Sequence, residues 1–490
     1  MASLLSCPTE LIDSILEHVS FRDLAAMSLM NKKLHESATS LLYSHIDFRI
    51  FRDNPRPVIH LCRSIFRKPE LAKYIKSVRL RDGEEKIKEL HRESWRHQDK
   101  TPKVVPPKPT DEDGMPEFVS FIEKTGLSYA DIWVEKLREG NLNAFVALLL
   151  SKLPNLARFR TGYATVLPYL EQEKWERVKP QTKGENQFLG KIFQSAVYDT
   201  SNHGISRFEH LEEISFPGPM DTDPGRNPDF SNPKDMIALL SLPSMRSISG
   251  WCLNPSSLPF TWPTESPALT QLTSLSLSFV NIDFLAQILE KAPSLKSLSW
   301  EWKYIPGVDP LNTDTIDLDR FIEALKPAQD TLEDLTIKCT HNVAWDDFDP
   351  PNIEVRGSLN GLESFINIKR FKAPFILLLP DWDYEEVETR RIEDSMPPNV
   401  EVVTVTDEKM PESYGYNEIS EVAKLQAWIS RTASTRTPHL AEVCLYLVYG
   451  SEWVRCEAED DYHGFRQIFE GSNVTYRIIK AEDEEPWENV

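Results

Sequence analysis

The stretch Leu272–Trp300, LTSLSLSFVNIDFLAQILEKAPSLKSLSW, contains the rule by which most of the chain is built. Leu272, Leu275 and Leu277 follow an apolar-x-x-apolar-x-apolar order, with serines at 274, 276 and 278. Alternation of this kind sends the leucines to one face of a strand and the serines to the other. Phe284, Leu285, Ile288 and Leu289 then fall at helical spacing. Pro293 stops that helix, because its ring fixes φ and biases the residue before it to an extended shape. Leu295, Leu298 and Trp300 restart the strand order, 23 residues (295 − 272) after Leu272.

Working outward, the same strand order begins at Ile75, Leu156, Leu211 and Met245 before this stretch, and at Leu332, Ile368, Val400 and Leu440 after it. Pro154, Pro243, Pro398 and Pro438 each stand, like Pro293, two residues before the first apolar position, and Pro327 follows a further helical pattern. Neighbouring strands that are each reached through a helix run parallel. The expectation is an α/β chain with a parallel sheet. Steps are uneven, reaching 81 residues (156 − 75) between Ile75 and Leu156, and no asparagine ladder is apparent. Stacked units of ~20–29 residues are the mark of leucine-rich repeats. These units resemble a degenerate version of them, which implies an irregular solenoid. A mixed α/β domain whose strands share a short motif is the alternative.

In front of the repeats, Leu4 to Phe48 reads as three short helices. Leu11, Ile12, Ile15, Leu16 and Val19 fall in one sector of the first helix. Ser20 and Asp23 open the second as a capping box. That second helix has no polar side, with Leu24, Ala25, Ala26, Met27, Leu29 and Met30 around it. The third carries one stripe, Leu34, Ala38, Leu41 and Leu42. Units of roughly 40 residues seldom complete a core alone, so this trio is expected to lend apolar surface to another protein.

The stretch resembles the F-box: Pro8-Thr9-Glu10-Leu11-Ile12, then Ile15-Leu16, Asp23-Leu24 and Lys32-Lys33-Leu34. Cys7 stands where the family usually has leucine. The resemblance implies docking on a Skp-type adaptor through Pro8, Leu11, Ile12, Ile15, Leu16, Leu24, Met27 and Leu29, and through it a cullin-based ubiquitin ligase. Some of these residues must instead hold the helices together. The implied organisation is an F-box over residues 1–48 and an irregular leucine-rich-repeat-like domain over 49–450. A disordered insert is expected near 83–117, and a cap with an acidic tail over 451–490. On this reading the chain is a non-catalytic substrate-recognition subunit; a repeat scaffold or regulator that uses the adaptor without degradation is the alternative.

With 76 acidic and 55 basic residues the formal charge is −21, which repels nucleic acid and anionic membranes. No apolar run approaches the ~18 residues of a membrane span. The opening residues lack the basic leader of a signal peptide. Six cysteines without paired spacing fit reduced thiols and neither zinc nor disulfides. The expected location is cytoplasm, nucleus or both.

No catalytic motif stands out. Gly184 to Lys191 imitates a phosphate loop but has five residues between its glycines, and Ile192 where Ser or Thr must hold the metal. The histidines are dispersed, the acidic clusters lack the plan of a calcium loop, and no catalytic residue, metal or cofactor is expected. For a protein partner the outward strand positions matter. The first two repeat strands offer Arg79, Arg81, Arg158 and Arg160, and the middle strands offer small hydroxyls. The arginines are expected to take an acidic or phosphorylated segment of a substrate; the alternative is that they pair with the neighbouring acidic surface of the chain and bind nothing.

Overall fold

Proline can open a helix but not continue one, and Pro8 stands immediately before α1 (Thr9–Leu16). The hydroxyl oxygen of Ser20 accepts the Asp23 N–H at 3.2 Å and so caps α2 (Phe21–Ser28). The Ser20 hydroxyl donates in turn to the Asp23 carboxylate, at 2.7 Å. Asn31 caps α3 (Lys32–Ser44) by accepting from Leu34 N–H at 3.0 Å. Ile12, Leu16, Leu24, Leu34 and Ala38 close a small core of their own, with Cys7, Val19, Met27, Leu41 and Leu42 packed against it.

In this computed structural model the described residues are 7–51, 54–82, 108–162, 188–199, 201, 204–216, 233–255, 257–262, 269–304, 311, 313–341, 354–378, 391–406, 425, 427–429, 433–447, 469 and 472–480. The chain divides into two compact units, Met1–Pro217 with Asn227–Met245, and Arg246–Val490 with Gly218–Arg226.

The helix α3 passes without a loop into β1 (His45–Ile50), which shortens the three-helix segment expected over residues 1–48. The strand was hidden because Ile46, Phe48 and Ile50 continue an apolar pattern that α3 had already begun. The rest of the first unit is α4 (Arg56–Arg67), β2 (Ser77–Asp82), α5 (Met115–Thr125), α6 (Ala130–Arg138), α7 (Leu142–Ser151), β3 (Arg158–Thr161), α8 (Phe188–Tyr198), β4 (Glu213–Ser215) and α9 (Pro233–Leu240). Its strands lie in chain order and pair in parallel from β1 to β4. One strand face is apolar and buried at Ile46, Val78, Phe159 and Ile214. The helices α4, α7, α8 and α9 pack side by side. All ten residues of α7 are buried, as a helix apolar all round requires. Even its Asn143 is used: the side-chain oxygen accepts from Phe188 N–H at 3.0 Å and so starts α8. The last part of the phosphate-loop lookalike lies within α8. There Gly190 has no side chain because a Cβ would overlap the Asp235 carboxylate of α9.

The second unit is β5 (Ser247–Trp251), β6 (Ser274–Ser278), α10 (Ile282–Leu289), β7 (Ser297–Tyr304), β8 (Thr315–Asp317), α11 (Leu318–Leu325), β9 (Asp334–His341), β10 (Glu354–Arg356), β11 (Arg370–Pro374), β12 (Val402–Thr406), β13 (Glu442–Leu447) and β14 (Thr475–Lys480). β8 and β10 form a separate parallel pair. The others follow chain order in a parallel sheet. The ten strand patterns read from the sequence are all strands. A single device aligns them: the carbonyl just before one strand accepts two consecutive N–H groups from the start of the next. Lys76 serves Ala157 and Arg158, Thr273 serves Lys296 and Ser297, and Lys296 serves Glu333 and Asp334. Trp300 shows how strands meet helices. Its ring stacks on Phe321 of α11 at 4.7 Å, and its N–H donates to the Val280 carbonyl at 2.8 Å.

Three expectations change. Residues 108–117 of the expected insert are structured: the Asp113 carboxylate accepts from Thr110 N–H at 2.8 Å, and Met115 is buried at the start of α5; residues 83–107 lie outside the described ones. The segment 451–490 contributes a strand, β14, rather than only a cap and tail. A short asparagine ladder does exist. Asn254 Oδ1 accepts from Asn281 N–H at 2.7 Å, and Asn281 Nδ2 donates to the Leu311 carbonyl at 2.7 Å. Each follows the first apolar residue of its unit by nine positions (254 − 245 and 281 − 272), one place later than the usual pattern.

Candidate functional site

The trio sorts the expected adaptor residues into two groups. Ile12 and Leu16 are fully buried and Leu24 nearly so, all within the small core. Leu11 and Ile15 face water, Leu29 is 86% exposed, Pro8 is exposed, and Met27 is partly buried. Phe21, 70% exposed, and Met30, 71%, join them. Among the described residues nine large apolar side chains are exposed, and five of them, Leu11, Ile15, Phe21, Leu29 and Met30, belong to α1, α2 and the turn behind it. Such a concentration differs from the single scattered apolar exposures usual on a protein surface.

The four expected arginines come together despite the long step between their strands. Arg79 of β2 pairs across the ladder with Arg160 of β3, and Ser77 pairs with Arg158. β1 adds His45, Asp47 and Arg49, which stand beside Ser77, Arg79 and Arg81. β4 adds Glu213 beside Arg158 and Ser215 beside Arg160. Neighbouring strands are ~4.8 Å apart and alternate residues ~6.6 Å, so five guanidinium groups and two carboxylates occupy one small face.

The two ion pairs on this face run diagonally, and one further bond runs straight across β2. Arg81 Nε donates to Asp47 at 2.7 Å, and Arg160 Nε to Glu213 at 2.6 Å. Arg158 Nη2 lies 3.2 Å from His45 Nε2. Burial, then Arg158, then Lys76 holds the His45 imidazole below its ordinary pKa of 6.5. His45, Asp47 and Arg49 were not among the expected residues. The alternation His45-Ile46-Asp47-Phe48-Arg49-Ile50 was the available signal.

The other expected face residues are Ser247, Ser249, Ser274, Ser276, Ser297 and Ser299 on β5 to β7, and they align across three strands. They are half-buried by one another and leave a low, uncharged strip. Trp300 and Trp302 pack inside, as do Trp251 and Trp428. Trp345, Trp382, Trp453, His91, His97 and the acidic clusters at 346–349, 385–386 and 459–461 lie outside the described residues.

Among the described residues no three His, Cys, Asp or Glu side chains are grouped to hold a metal, and no helix is long and apolar enough to cross a membrane. A hollow of about 450 Å³ beside α5 is lined by Asp111, Ser120, Glu123 and Arg138 with apolar neighbours. No protein-family model matches the chain, and no curated protein matches it.

Proposed function

We propose that this chain is a non-catalytic substrate-recognition subunit of a Skp–cullin–F-box ubiquitin ligase, working in the cytoplasm or nucleus. On this reading Leu11, Ile15, Leu29, Phe21 and Met30, with Pro8 at their edge, meet a Skp-type adaptor. Ile12, Leu16 and Leu24 hold the three helices in place, and Met27 borders both sets. The units that follow are irregular leucine-rich repeats whose polar strand face holds a protein substrate, first of all at Arg79, Arg81, Arg158 and Arg160. Catalysis belongs to other subunits, and this chain raises the local concentration of substrate beside the ubiquitin donor.

The observation that supports this best is the exposed apolar set on a trio that already has its own core. Burying a side chain of this size contributes roughly 1.5–3 kcal/mol, before the cost of association is subtracted. The trio thus gains more from a partner than from further packing within the chain. The test is affinity purification of the full chain from cells. Adaptor and cullin should co-purify with the wild type and be lost with Leu11→Glu plus Ile15→Glu, whose melting temperature should not fall. Retention of both partners by that variant would discard the docking surface. Adaptor without cullin would favour a scaffold outside any ligase.

A further inference from the structure

The bonds around His45 are fixed by chemistry as well as by distance. A guanidinium can only donate, so His45 Nε2, 3.2 Å from Arg158 Nη2, is a bare acceptor. The ring proton is therefore on Nδ1, which lies 2.7 Å from Ser44 Oγ. Ser44 gives its own hydroxyl proton to the Leu41 carbonyl at 2.8 Å, in the last turn of α3, so its oxygen is there to accept. The bond from Arg158 requires a neutral His45, whereas the bond to Ser44 survives protonation. A protonated ring would set one cation against another across 3.2 Å.

We infer that His45 is a proton-operated member of the arginine site. Neutral, it holds Arg158 over Ser77; protonated, it releases Arg158 and donates from Nε2 to a bound carboxylate or phosphate. One proton moves from solvent to Nε2 and no covalent bond changes. The inference rests on the reading of this face as the site of an acidic partner, and not on the helical trio.

The charges that face the ring explain why an anion is needed. Arg158 on β3 and Lys76 in front of β2 oppose protonation, and Arg79 on β2 and Arg49 on its own strand add to the positive field. The nearby carboxylates are engaged elsewhere, Asp47 with Arg81 and Glu213 with Arg160. An arriving anion reverses this balance by drawing Arg158 to itself and offering His45 a negative partner. Binding then takes up a proton, and affinity rises as pH falls, by at most about tenfold per pH unit for one proton.

The experiment uses the full chain and a fluorescein-labelled oligo-aspartate peptide, whose carboxylates stay ionised from about pH 8 to about pH 5.5. Anisotropy titrations on the wild type should show tighter binding as the pH falls. His45→Gln, which can still accept from Arg158 but cannot be protonated, should give a flat profile. An equal slope in both proteins overturns the inference and leaves the site standing. No binding at any pH overturns the site and the inference with it. A second measurement needs no ligand: Arg158→Gln should raise the pKa of His45 followed by NMR, and an unchanged value overturns the latch. A phosphothreonine peptide titrated beside the first at neutral pH tells a phosphate source from a carboxylate one.

Discussion

On the first unit's sheet Arg79 stands beside Arg160 and Arg49 beside Arg81; on the second unit's sheet Glu301 stands beside Lys338 and Asp334 beside Arg370. Cross-strand pairs of opposite sign contribute roughly 0.2–1 kcal/mol, and like charges directly opposite each other destabilise. The second face is therefore charged in a way that folding explains. Ser278 and Thr340 even donate to the two oxygens of Glu301, and the residues ahead of the strands carry a ladder of their own, Lys296 to Glu333 and Lys369 to Glu401. Folding does not explain the first face. It keeps two like-charge pairs beside two of opposite sign, Asp47 with Arg79 and Glu213 with Arg158, so five guanidinium groups share two carboxylates in a chain whose net charge is −21. The excess of guanidinium over carboxylate on this face is the feature on which the proposed anion site rests.

Both faces rest on apolar floors, and those floors should dominate stability. Trp300→Ala removes a fully buried ring stacked on a helix, and Phe159→Ala removes a fully buried ring from the strand that carries Arg158 and Arg160. Each should lower the unfolding free energy by about 3–5 kcal/mol in urea titrations. A face substitution of similar size would break the distinction between floor and face.

The comparison itself is tested by magnitude. Asp334→Asn takes the carboxylate from Arg370 in a pair whose arginine is exposed and whose carboxylate is mostly covered, and should destabilise by about 1 kcal/mol. Arg79→Gln relieves the like-charge pair with Arg160 but also removes the opposite charge beside Asp47, so it should change stability by no more than a few tenths of a kcal/mol, while weakening capture of an acidic peptide. High salt should shrink both effects. If Arg79→Gln destabilises as much as Asp334→Asn, the arginines are structural and the contrast between the faces disappears.

Much of this contrast was legible in the chain alone, since residue alternation decides which side chains share a face. The order Ile75-x-x-Val78-x-Leu80 and its counterparts place the four arginines and the serines on the polar side. What pairs with what was not legible. Whether β2 lies beside β3 depends on how the chain between them folds, and no local pattern carries that. β1 escaped notice because α3 runs into it without turn residues, so His45 was counted among dispersed histidines. The trio shows the same limit from another side. Helical periodicity put Leu11, Ile12, Ile15 and Leu16 in one sector, but packing decides which half of that sector is inside, and it chose Ile12 and Leu16.

The smallest effects are those of pH, and they separate the two faces by where they appear. Lys296, by its hydrogen bond and its charge, holds the Glu333 carboxyl below its ordinary value of 4.5. A depressed carboxyl contributes stability that is present above 4.5 and is lost as pH falls through the folded value. His45 is also held low, by burial and Arg158, and for a base the proton count runs the same way. Just below pH 6.5 the unfolded chain binds a proton that the folded chain refuses, so stability falls as pH drops into that window. Unfolding midpoints of His45→Gln should therefore gain on the wild type as pH falls below about 6.5, and those of Glu333→Gln only below about 4.5. A His45→Gln protein that tracks the wild type through the upper window would mean that Arg158 does not hold the ring neutral, and the proposed latch on the basic face would fall with it.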